Sequence, residues 1–115
     1  MKENSLALAM DIVKLLKDKK ADRITLLDID KLTTLGDYFV IASGNNTTLV
    51  KALCGEIEEK LSLRGIRPKR LEGERGAMWI LMDYGDVIVH LFYNETRDFY
   101  GLERLWADAA EIDLE

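Results

Sequence analysis

Two kinds of hydrophobic spacing alternate along the chain. Between residues 4 and 20 apolar positions recur at helical intervals, with Leu6, Met10, Val13 and Leu16 as one stripe widened by Ala9 and Ile12. That pattern predicts an amphipathic helix. Asn4 or Ser5 can cap its start, and Lys17, Lys19 and Lys20 crowd its end, where positive charge suits the helix dipole. Residues 23–29, RITLLDI, read as a strand. After Asp37 the run YFVIAS is apolar at successive positions, the mark of a strand covered on both faces. Ser43-Gly44-Asn45-Asn46 is turn chemistry, and Thr47 or Thr48 can cap a second helix. Its apolar face is Val50, Leu53, Cys54, Ile57 and Leu61, with Gly65 as its stop. The only proline, Pro68, falls in a segment from Ile66 to Leu71 that predicts an edge strand, because proline cannot donate to a ladder.

The stretch from Ala77 to Tyr93, AMWILMDYGDVIVHLFY, is the centre of the pattern. Two apolar runs flank Tyr84-Gly85, which predicts a β-hairpin with a two-residue turn there. Asp83 then opposes Asp86, Leu81 opposes Ile88, and Trp79 opposes His90. Side chains alternate along a strand. One face is therefore Met78, Ile80, Met82, Val87, Val89, Leu91 and Tyr93, and predicts core. The other mixes aromatic and ionisable groups: Trp79, Leu81, Asp83, Asp86, Ile88, His90 and Phe92. Asn94 or Thr96 can start a short helical turn, Leu102, Leu105, Trp106 and Ala109 predict a last amphipathic helix, and the acidic tail from Glu111 to Glu115 reads as a frayed end. The order of elements implies one domain over residues 1–115, of mixed α/β (α+β) class, with a mixed sheet of about five strands flanked by helices.

Composition narrows the function. With 48% hydrophobic and 32% charged residues in 115, the chain belongs among globular proteins, large enough for a core without disulfides. A net charge of −5 disfavours sequence-independent binding to nucleic acid, which depends on neutralising phosphates, and favours a basic protein partner. One cysteine, Cys54, excludes an intrachain disulfide and a thiolate metal cluster. The sequence shows no signal-peptide core and no apolar run long enough to span a bilayer, so a cytoplasmic protein with no membrane partner is expected.

Candidate chemistry is sparse. His90 is the only histidine, which leaves little for a nucleophilic triad or a multi-histidine metal site. It reads either as a partner contact or as a partly buried ring satisfied by a carboxylate. Asp28 and Asp30 share a strand face and could hold a cation, or simply leave the sheet into solvent. Ser43-Gly44 before a helix resembles an anion-binding turn but lacks the lysine of a P-loop, and a cap explains it. Arg64, Arg67, Lys69 and Arg70 form the one basic cluster, either an RNA-phosphate contact or a charged device protecting an edge strand. Asp37 reads as a cap or hydrogen-bond acceptor. Trp79 and Phe92 beside acids have the composition of an interface centre, unless a further helix covers that face too.

Several blocks carry a resemblance: Asp37 to Gly44 (DYFVIASG), Glu72-Gly73, Trp79 to Phe92 (WILMDYGDVIVHLF), Arg97 to Tyr100 (RDFY) and Leu102 to Trp106 (LERLW). In these the chain resembles the ribosomal silencing factor, or Iojap-like, family over nearly its whole length. The resemblance implies a nucleotidyltransferase-like topology and a translation regulator rather than an enzyme, with no cofactor. Members bind the large ribosomal subunit through its ribosomal protein number fourteen at the face that meets the small subunit, block subunit joining and repress translation when nutrients are scarce. It also implies a homodimer in the free state, and rRNA is a further candidate contact at the rim. A metal-dependent nucleotidyltransferase is the alternative, but no inward carboxylate pair follows Ser43-Gly44, and Asp28 and Asp30 precede it. A plain RNA-binding module is the third reading. The contact is expected at Trp79, Asp83, Tyr84, Asp86, His90 and Phe92, with Arg97 and Tyr100 from the adjoining turn.

Overall fold

A computed structural model describes residues 2–114. Helix α1 (Lys2–Asp18) leads into strands β1 (Asp22–Asp28) and β2 (Tyr38–Gly44), helix α2 (Thr47–Ser62) and strands β3 (Arg70–Glu72), β4 (Trp79–Asp83) and β5 (Val87–Tyr93). Two short helices, α3 (Asn94–Tyr100) and α4 (Leu102–Leu105), and a two-residue strand β6 (Ala110–Glu111) complete it. The sheet has six strands in the order β3-β4-β5-β2-β1-β6, one more than the hydrophobic pattern predicts. β2 and β5 run parallel and every other neighbouring pair is antiparallel. β2 is buried at every residue, as its unbroken apolar run requires of a central strand.

Each face of the sheet has its own core. On the first, Ile12, Val13 and Leu16 of α1 and Leu53, Ile57 and Leu61 of α2 pack on Val40, Ile80, Met82, Val89 and Leu91. On the second, Leu27, Phe39, Ile41, Ile88 and Phe92 lie beneath Leu102, with Trp106 and Ala109 against them. The α1 stripe is centred on Ala9, Ile12, Val13 and Leu16, which leaves Met10 at its margin, 39% exposed. The cap of α2 is Asn46, one residue before the predicted threonines, its Oδ1 accepting the N–H of Leu49 at 2.7 Å. Asp37 is the expected acceptor: its carboxylate takes the Ser5 hydroxyl at 2.7 Å and so ties α1 to the entrance of β2.

Three expectations need correction. The hairpin turns at Gly85-Asp86, not Tyr84-Gly85, so Trp79 opposes Phe92 and Leu81 opposes His90. Gly85 takes φ +90 as first residue of the turn, Asp83 Oδ1 accepts its N–H at 2.8 Å, and Tyr84 N–H closes on Val87 O at 2.9 Å. The slip moves each pairing by two residues, an even number, so the two faces keep their membership. The last helix stops at Leu105, and Trp106 turns in to meet Phe39 edge-on at 5.1 Å. The tail does not fray: β6 pairs with β1, Ile112 N–H bonds Leu26 O at 2.9 Å, and Lys17 Nζ donates to Leu114 O at 2.7 Å. Glu115 lies outside the described residues.

Candidate functional site

The face expected to dock a partner is largely a second core. His90 is 5% exposed and Phe92 fully buried, because the corner from α3 to α4 and the turn after it cover the middle of β2 and β5. Neither side chain offers surface to another molecule. The remaining residues separate into two ends of the hairpin. Asp83, Tyr84 and Asp86 surround the turn, while Trp79 begins β4 about 13 Å away along the strand.

At the turn end, the Asp83 side chain and the Asp86 backbone serve local structure. Asp83 holds Gly85 and lies 3.8 Å from Arg70. Asp86 is exposed, and its carbonyl accepts the N–H groups of Asp37 (2.7 Å) and Tyr38 (3.1 Å), docking the turn on the entrance to β2. Tyr84 leans on the first core, its hydroxyl enclosed without a hydrogen-bond partner. Burial, with Glu58 and Cys54 adding to it, pushes that phenol up to about 12. Cys54 itself lies in the first core, its thiol pushed up to about 11 by burial and by nearby Glu58 and Glu74.

Arg97 also lies inside, only 2% exposed. Its Nε and Nη2 grip Glu103 Oε2 at 2.8 and 2.7 Å, Nη1 reaches Arg23 O at 2.7 Å and Ser43 Oγ at 3.3 Å, and Nη2 reaches Thr25 Oγ1 at 3.2 Å. Burial works against its charge while Glu103 sustains it. Burial alone would raise the Glu103 carboxyl, yet the hydrogen bond from Arg97 takes it below its ordinary value. Arg97 therefore joins α3 and α4 to the ends of β1 and β2 and is no surface contact. Arg23, in a left-handed conformation at φ +47, adds a second tie through Asp98 at 2.8 Å.

At the other end an aromatic wall faces solvent. Tyr100 is 52% exposed, and its ring lies 5.0 Å from the indole of Trp79. Phe99, 79% exposed, meets Tyr100 edge-on at 5.1 Å. With Met78, Tyr93 and Glu95 these rings line a groove of about 440 Å³. A second hollow, about 330 Å³, lies across the indole and is lined by Glu72, Gly73, Trp79 and Leu81. Of the groove residues only Trp79 and Tyr100 are among those expected from the sequence, and the exposed hydrophobic residues among the others are Met78 and Phe99. Met78 falls on the core side by alternation, but it precedes the first residue of β4 and is exposed. Phe99 stood in the RDFY block, next to a residue already singled out. The loop before Trp79 is tight: Gly73 at φ +84 lies so close to the Trp79 carbonyl that a Cβ would collide with it.

The basic cluster is exposed and partly neutralised, Arg64 by Asp11 at 2.9 Å and Arg70 by Glu72 at 3.7 Å. Asp28 Oδ1 accepts the N–H of Asp30 at 3.1 Å, a local turn bond. Among the described residues no group of three or more histidine, cysteine or carboxylate side chains could hold a metal ion, and no helix is long and apolar enough to cross a membrane.

The family model described as "Ribosomal silencing factor during starvation" matches residues 2–115. The ribosomal silencing factor of Bacillus subtilis is 42% identical over 98 residues, 85% of this chain and 83% of that one. The corresponding protein of Halalkalibacterium halodurans is 40% identical over 103 residues, 90% and 88% of the two chains. A crystal structure of a Bacillus halodurans protein superposes with a TM-score of 0.82 at 37% identity, covering 97% of this chain and 99% of that one.

Proposed function

We propose, for a chain that belongs to the ribosomal silencing factor family, that it regulates translation in the cytoplasm by occupying a surface rather than by catalysis. It binds the large ribosomal subunit through ribosomal protein number fourteen, at the face that meets the small subunit. Bulk at that face blocks subunit joining and represses translation under nutrient limitation. The observation that supports this reading is the groove in which exposed Met78, Phe99 and Tyr100 stand around the half-buried Trp79. Isolated exposed hydrophobic residues need no explanation, but three around one groove, with an indole between them, have the character of an interaction site. Aromatic anchors of this kind dominate the energetics of protein interfaces.

Charge points the same way. Glu72 and Glu95 edge the two hollows in a chain of net charge −5, so a basic ribosomal protein is attracted while bare rRNA is repelled. Arg67 and Lys69 are exposed and can add a salt-sensitive rRNA contact at the rim. In the free chain a second copy is the natural cover for the same aromatic wall. A buried contact of about 800 Å² on each partner is sufficient for a specific complex. The rival enzyme needs inward carboxylates on a strand after Ser43-Gly44, whereas that segment enters α2 through the Asn46 cap.

Co-sedimentation with purified large subunits tests the proposal. The wild-type chain should travel with large subunits and slow their association with small subunits, and F99A/Y100A should do neither. A folded F99A/Y100A chain that still blocks association would remove the aromatic wall from the interface. Turnover of nucleoside triphosphate with Mg²⁺ would support the enzyme instead.

A further inference from the structure

His90 is a buried polar side chain that the docking surface does not itself use. It lies at the centre of β5, with the edge of Phe39 at 4.7 Å and the ring of Phe92 stacked at 6.4 Å. Its Nδ1 is 3.1 Å from Nε1 of Trp79. An indole nitrogen only donates, so Nδ1 must accept, and the neutral ring holds its own proton on Nε2. That Nε2 is buried and has no hydrogen-bond partner. An unsatisfied buried donor is destabilising, because it gives up water and gains no partner. A hydrocarbon ring of similar outline would fill the same aromatic layer without that cost. What imidazole supplies here, and phenylalanine cannot, is an acceptor for Trp79.

We infer that His90 is a positioning residue: its Nδ1 sets the rotation of the Trp79 indole, so that the ring stands as the wall shared by the two hollows. The purpose of this arrangement rests on the docking reading, although its geometry does not. The indole is held on three sides, by Phe92 at 4.9 Å, by Tyr100 at 5.0 Å and by the His90 acceptor. The two rings limit its tilt, while the hydrogen bond alone distinguishes its nitrogen edge from its carbon edge. Without the acceptor the N–H turns toward water, one hollow narrows, and a partner shaped to both hollows loses its fit. Fixing such an anchor before binding raises affinity by removing an ordering cost.

Three chains decide the matter: wild type, His90→Phe, which keeps the ring and removes the acceptor, and His90→Asn, whose Oδ1 stands near the place of Nδ1. His90→Met replaces His90→Phe if the larger ring prevents folding. The readouts are the indole N–H resonance of Trp79 and its hydrogen exchange, the thermal midpoint, and sedimentation with large subunits. His90→Phe should melt at or above the wild-type midpoint, yet exchange its indole proton about tenfold faster and bind about tenfold more weakly. His90→Asn should recover part of both losses. Unchanged indole exchange or undiminished binding in folded His90→Phe would overturn the inference, as would a folded His90→Asn no better than His90→Phe. If wild type itself ignores large subunits, the docking reading falls, and indole exchange alone then decides the role of His90.

Discussion

Arg97 and Glu103 close on each other around the corner at Gly101, with one carboxylate oxygen taking both Nε and Nη2 of the guanidinium at 2.8 and 2.7 Å. The same guanidinium bonds the Arg23 carbonyl and the hydroxyls of Ser43 and Thr25. The short helices that cover the second core are thus fastened to the sheet by one buried charge. Without Arg97 the enclosed Ser43 hydroxyl and the Arg23 carbonyl lose their donor, which costs about 1–3 kcal/mol, while Glu103, 36% exposed, is left to water. Arg97→Met should therefore lose stability of that order in urea denaturation. Arg23→Ala, which removes an exposed pair with Asp98, should lose less than about 1 kcal/mol. Equal losses for the two would show that Arg97 does not hold the corner.

Acid stability carries a signature of His90. Burial takes its imidazole from the ordinary 6.5 down to about 4. As pH falls through 6.5 the unfolded chain binds a proton that the folded chain refuses until about 4, so stability declines across that interval. The full loss is of the order of 3 kcal/mol. The difference in unfolding free energy between wild type and His90→Phe, followed from pH 7 to 4, isolates this contribution from carboxylates common to both. A flat difference would mean the imidazole reaches water.

Glycines sort by what surrounds them. At Gly73 a Cβ meets the Trp79 backbone at φ +84, so Gly73→Ala should destabilise the protein by more than about 1 kcal/mol and displace Trp79. Gly55 lies on the exposed side of α2 with open space around it, and Gly55→Ala should stabilise by about 0.5–1 kcal/mol. Thermal melts of the two variants should move in opposite directions.

Trp79→Ala separates binding from folding. The side chain is half-buried against Phe92 and Tyr100, so truncation should cost about 2 kcal/mol, less than for a fully enclosed tryptophan. Most chains should remain folded by circular dichroism while sedimentation with large subunits is lost. Full binding by this variant would leave the groove without a role.

Much of the architecture could be read in advance, for identifiable reasons. The five apolar positions of α2 repeat at helical spacing, and all five are buried. The unbroken run in β2 marked it as the central strand. Even the slipped hairpin kept its two faces, because alternation along a strand does not depend on which residues form the turn. The register itself did depend on them: a lone glycine can be either central residue, and the choice lies with contacts such as Asp37 N–H to Asp86 O.

The site was less legible. Arg97 read as a surface contact because arginine is seldom enclosed, and its acceptor Arg23 O lies 74 residues away in the chain. His90 and Phe92 sat on a face of the right chemistry, but Leu102, Trp106 and Ala109 close over it from the far end of the sequence.

Period and alternation, properties of neighbouring residues, were enough by themselves to establish the helices, the main strands and which side chains share a face. Only the tertiary structure decided which face stays open, since exposure depends on what distant segments come to lie on top. It enclosed His90 and left Trp79 and Tyr100 at the rim, where the covering corner ends.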